Sequence, residues 1–79
     1  MELNNFVKLF ADQFDDTPNE QFSPEVAFRD IDEWSSLTAL SVIAMVDDEF
    51  DVQLSGDDIR NSKTIEDVFN TVKNKLNGA

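Results

Sequence analysis

In the stretch EWSSLTALSVIAMVDDEF, residues 33–50, a helix expected from about Ser36 to Phe50 opens on two serines and closes on an acidic cluster. Stepped at the helical interval of about 100° per residue, Ala39, Val42, Ile43, Val46 and Phe50 gather on one side, which is the predicted core face. Leu37, Leu40 and Ala44 fall on another side, and Asp47 and Asp48 continue it. An apolar strip rimmed by acids and left open is a docking surface; the alternative is that a neighbouring loop covers Leu37 and Leu40. Ser36 lies at the edge of this strip, at the helix start. Unpaired N–H groups and the positive end of the helix dipole favour a phosphate esterified there. Either serine also serves as a plain cap, and Ser35 can cap while Ser36 presents its hydroxyl.

Upstream, Leu3, Phe6, Val7, Phe10 and Phe14 recur at helical spacing and predict a first helix, stopped by the turn-forming run DDTPN at residues 15–19. A long connection to about Trp34 follows. Phe22, Val26, Phe28, Ile31 and Trp34 can pin it to the bundle, with a turn of helix expected after Pro24. Downstream, residues 56–61 read as a short helical segment started by Ser55 or Gly56, with Asp57 and Asp58 at its positive end and Ile59 as its apolar anchor. Thr64 then caps a last helix whose stripe is Ile65, Val68, Phe69, Val72 and Leu76. Glu66 and Asp67 stand in its first turn, Lys73 and Lys75 near its last, and Gly78 ends it. The predicted fold is all-α: a small four-helix bundle of three longer helices and one short one, with a long loop between the first and second, in a single domain over residues 1–79.

Seventy-nine residues support one core, and 41% hydrophobic residues including seven Phe are enough to fill it. The chain has no Cys and no His, so the usual thiolate ligands, the neutral-pH general base and the commonest nucleophile pairs are missing. No independent catalytic activity is expected. A net charge of −11 argues against nucleic acid. Residues 30–58 hold nine acids and no Lys or Arg, which suits either a basic partner or a solvated face. No apolar run reaches the length of a membrane span, and the start of the chain lacks a basic secretory signal, so a cytoplasmic location is expected. A calcium loop starting at Asp51 would put Gly56 correctly at its sixth position, but Ser62 at the twelfth and Asp58 at the apolar eighth exclude it.

The run FRDIDEWSSLTALSVIAMVDDEFDVQLSGDDI, followed by TIEDVFNTV, resembles an acyl carrier protein, whose signature is a D-S-L tripeptide opening a helix that ends in acids and Phe. The matching residues are Ser35-Ser36-Leu37 and Asp47-Asp48-Glu49-Phe50-Asp51. The resemblance implies that Ser36 receives 4′-phosphopantetheine from coenzyme A through a separate phosphopantetheinyl transferase. The thiol of that arm would then hold acyl groups as thioesters, in fatty-acid or in specialised polyketide, peptide or sugar-modifying biosynthesis. It also implies that Leu37, Leu40, Ala44, Asp47 and Asp48 dock on basic patches of acyl-loading and acyl-processing enzymes, with the carrier acting as a monomer. Two positions depart from the pattern: Ser35 replaces the usual aspartate, and Ser41 stands where an acid is common. Trp34 before the motif resembles some stand-alone carriers outside housekeeping fatty-acid synthesis. The rival reading is an unmodified acidic adaptor that binds a basic partner through the same helix.

Overall fold

A computed structural model describes residues 2–77, with helices α1 Leu3–Ala11, α2 Ser36–Phe50, α3 Gly56–Arg60 and α4 Ile65–Leu76. The apolar stripe of α1 buries Phe6, Val7, Phe10 and Ala11. The helix ends earlier than the stripe predicts. Gln13 and Phe14 donate to the carbonyls three residues back, Phe10 and Ala11, at 3.1 and 3.0 Å, which tightens the chain out of the α-helix. That tightening turns Phe14 onto Phe22, at 4.9 Å between ring centroids, instead of continuing along the helix.

The connection over residues 12–35 contains 3-10 turns at Asn19–Gln21 and Phe28–Asp30. Its aromatic residues anchor it as expected: Trp34 lies 4.7 Å from Phe28 and stacks on Phe10 and Phe14, in a cluster over the end of α1. The helical turn expected after Pro24 is instead a single turn, closed by the Val26 N–H on the Ser23 carbonyl at 3.1 Å. The carbonyls that would have continued a helix are used elsewhere. Pro24 and Val26 accept the Glu66 and Ile65 N–H groups at 2.9 and 3.2 Å, and Ala27 bridges to Thr64. The loop therefore satisfies the first orphan donors of α4. Thr64 Oγ1 accepts the Asp67 N–H, and the Asp67 carboxylate accepts the Thr64 and Lys63 N–H groups, so the start of α4 is saturated.

Ser55 and Asp58 close a second reciprocal cap on α3, and Ile59 anchors that helix in the core as predicted. The stripe of α4 is buried through Val72, but Leu76 is 45% exposed because the last turn projects past the core cluster. The expected stop at Gly78 lies outside the described residues.

Helix α2 is rolled relative to its predicted face. Thr38, Val42, Met45 and Val46 are buried, whereas Ala39, Ile43 and Phe50 are only half-buried. A polar Thr38 can enter the core because its hydroxyl donates to the Glu33 carbonyl at 3.1 Å. The connection between α2 and α3 also contributes to the core. Val52 and Leu54 point inward on either side of exposed Gln53, an extended two-residue alternation too short to read as an element.

Candidate functional site

The start of α2 is built differently from that of α4. Ser35 is extended, at φ −155° and ψ 177°, and its Oγ accepts the Thr38 N–H at 3.4 Å while its carbonyl accepts that of Ala39 at 3.0 Å. Ser35 is thus the cap. The N–H groups of Ser36 and Leu37 are the remaining orphans of the first turn, and among the described residues neither finds a protein partner. The Ser36 side chain is exposed beside them.

From Ser36 an open face runs the length of the helix. Leu37 is 76% and Leu40 61% exposed, and Ala44, Asp47 and Asp48 are exposed in the same sector. The long loop does not cover them, and Glu33 holds that loop elsewhere. Its carboxylate accepts the Asp15 and Asp16 N–H groups at 2.5 and 3.0 Å and the Thr17 hydroxyl at 2.7 Å, which binds the loop to the chain just after α1. The Thr17 hydroxyl, helped by the backbone N–H groups of residues 15–17 and opposed by desolvation, holds the Glu33 carboxyl below the ordinary glutamate range. Glu33 has no local signature, since its partners lie 16 to 18 residues upstream.

The family model for the phosphopantetheine attachment site matches residues 6–72. The chain belongs to that family. Phosphopantetheine-attachment domains of this kind carry a covalent 4′-phosphopantetheine as their prosthetic group. The match reaches from α1 through the buried stripe of α4, so it includes every element of the bundle. No curated protein and no solved structure matches the chain.

On this phosphopantetheine-attachment domain a groove of about 380 Å³ opens beside Ser36, between α2 and α3. Trp34, Ala39, Ile43 and Ile59 give it apolar walls, which accounts for the half-burial of Ala39 and Ile43 on the α2 side. Arg29 and Arg60 also line it. The Arg29 guanidinium is held in place, 5.2 Å from the Phe28 ring centroid and donating from Nη1 to the Ile59 carbonyl at 2.9 Å. These arginines carried no sequence signal, because they lie far apart in the chain and line one groove only when the loop folds onto α3.

Proposed function

We propose that the chain is an acyl carrier protein and that Ser36 bears the phosphopantetheine arm. The observation that carries this reading is an exposed hydroxyl on a helix start whose neighbouring amides are free. An arm attached here would find the Ser36 and Leu37 N–H groups and the positive end of α2 available to its phosphate. In the modifying reaction the Ser36 Oγ forms a bond to the phosphorus that carries pantetheine. The phosphoanhydride bond of coenzyme A breaks, adenosine 3′,5′-bisphosphate leaves, and the hydroxyl proton passes to a base on the transferase. The cysteine-free chain obtains its thiol from the arm, which would hold acyl intermediates of fatty-acid or specialised biosynthesis.

The remaining residues bind and orient. The apolar groove can shelter the first part of an acyl chain, while Leu37, Leu40 and Ala44 with Asp47 and Asp48 offer a strip to basic patches of partner enzymes. The carrier itself performs no catalysis in this reading and works as a cytoplasmic monomer. The exposed strip also favours a second reading, an unmodified adaptor, because docking there needs no modification of Ser36.

The deciding experiment is intact mass spectrometry after incubation with coenzyme A and a broad-specificity phosphopantetheinyl transferase. One phosphopantetheine is expected on the wild type and on Ser35→Ala, and none on Ser36→Ala. No addition with several transferases would leave the adaptor reading in its place.

A further inference from the structure

Three grooves show an uneven distribution of charge. The one beneath the long loop is lined by Asp16, Asp30, Asp32 and Glu33, and the one along α2 by Asp47, Asp48, Glu49 and Asp51, with no Lys or Arg in either. The groove beside Ser36 is the reverse. In a chain with 17 acids and 6 bases, it is lined by two arginines and no carboxylate. Asp57 pairs with Arg60 from outside that lining, and both side chains are largely exposed, so most donors of the guanidinium remain free. Arg60 also lies across the start of α3: a Cβ on Gly56 would stand 3.6 Å from its Nη1. Arg29 has committed one donor to the Ile59 carbonyl and keeps the others.

We infer that this groove selects an acyl cargo whose far end is a carboxylate, the half-thioester of a dicarboxylic acid, received by Arg29 and Arg60. The inference rests on Ser36 as the attachment point. The apolar walls at Trp34, Ile43 and Ile59 would take the methylenes of the cargo, and the guanidiniums would take its charged end, since planar Arg donors match a carboxylate. A fully aliphatic cargo would leave both arginines without an anion.

The test compares two cargoes with the same carbon count on the same arm. A transferase loads the wild type from succinyl-coenzyme A or butyryl-coenzyme A, mass spectrometry confirms each product, and thermal melting is followed at low salt through the single Trp34. General repulsion in a chain of net charge −11 should make the succinyl form the less stable one. The groove predicts the opposite sign: the succinyl form melts about 2–5 °C above the butyryl form. In Arg29→Gln/Arg60→Gln the order should disappear or reverse. Because each comparison is made within one variant, any loss of stability from the substitutions cancels. Equal melting of the two wild-type forms, or a difference that survives the double substitution, overturns the inference. An equal lowering of both forms by the double substitution reports only the lost anchoring of Arg29 on the Ile59 carbonyl, and with no cargo difference in the wild type the inference is overturned. No mass gain from either donor overturns the Ser36 reading and this one together, whereas loading followed by equal melting removes this one alone.

Discussion

The Glu33 carboxylate accepts the Thr17 hydroxyl at 2.7 Å, while three residues on the chain begins α2 with Ser36. This contact fixes the loop at both ends, because the Glu33 carbonyl accepts the buried Thr38 hydroxyl at 3.1 Å. One residue thus ties the end of α1 to the first turn of the helix that presents the candidate attachment serine.

The Glu33 clamp predicts a pH dependence with a definite sign. Its folded pKa lies below the ordinary value of 4.5, so the clamp contributes fully above that value and is lost as pH falls through the lower folded pKa. Glu33→Gln should therefore melt below the wild type at pH 7, and the gap should close in strongly acidic solution. Melting curves of both proteins across that range check this. A gap that is constant with pH would mean that the carboxylate charge is irrelevant to the clamp.

Helix α2 closes on Asp51 in the left-handed region, at φ 56°, with its N–H on the Asp47 carbonyl at 3.0 Å. A side chain at such a C-terminal position is strained, and glycine is the residue that relieves it. Asp51→Gly should stabilise the domain by about 0.5–1 kcal/mol, or about 2–8 °C in melting temperature, after allowance for the greater freedom of glycine in the unfolded chain. Asp51→Asn removes the charge but keeps the side chain. If it raises the melting temperature as much as glycine does, repulsion among the acids is the cause and backbone strain is not.

The acids at Asp47, Asp48, Glu49 and Asp51 are all exposed, next to one another and without a cation among them. Their repulsion acts through solvent and is screened by salt, with a Debye length falling from about 30 Å at 0.01 M to about 8 Å at 0.15 M. The melting temperature of the unmodified protein should rise across this range, and more steeply with a divalent cation. A flat profile would show that the acidic face is too well solvated to strain the fold.

Parts of this fold were legible because their causes are local. Thr64 and Asp67, three residues apart, announce the start of α4, and the serines and final acids bound α2 at Ser36–Phe50. The roll of α2 was not legible, because Thr38 counts as polar until its hydroxyl meets the Glu33 carbonyl, and Met45 fills core space that the angular pattern assigned to Ile43. Ile43 and Ala39 belong to the apolar pattern of α2, but they form the apolar wall of the groove beside Ser36. The exposed strip of Leu37, Leu40 and Ala44 followed from periodicity alone. Whether a loop covers it is not written in α2 itself, and the Glu33 contacts that hold the loop come from a distant turn.

Position 35 separates capping from charge. Ser35 caps α2 through a long 3.4 Å contact to the Thr38 N–H, and aspartate caps as well as serine while adding charge at the positive end of the helix. Ser35→Asp should therefore keep or slightly raise the melting temperature, whereas Ser35→Ala should cost about 1 kcal/mol. On the functional side, a carboxylate beside Ser36 adds attraction toward a basic transferase surface. Ser35→Asp should then accelerate modification about 2- to 10-fold at low salt, with the gain fading as salt rises. Ser35→Ala should be modified at close to the wild-type rate, because the serine contributes no charge to lose. Initial rates of phosphopantetheine addition at two salt concentrations, beside melting curves of the same proteins, check both parts. A rate for Ser35→Asp equal to that of the wild type at low salt would assign position 35 to helix capping alone and place partner recognition further along the strip, at Leu37, Leu40 and the acids beyond them.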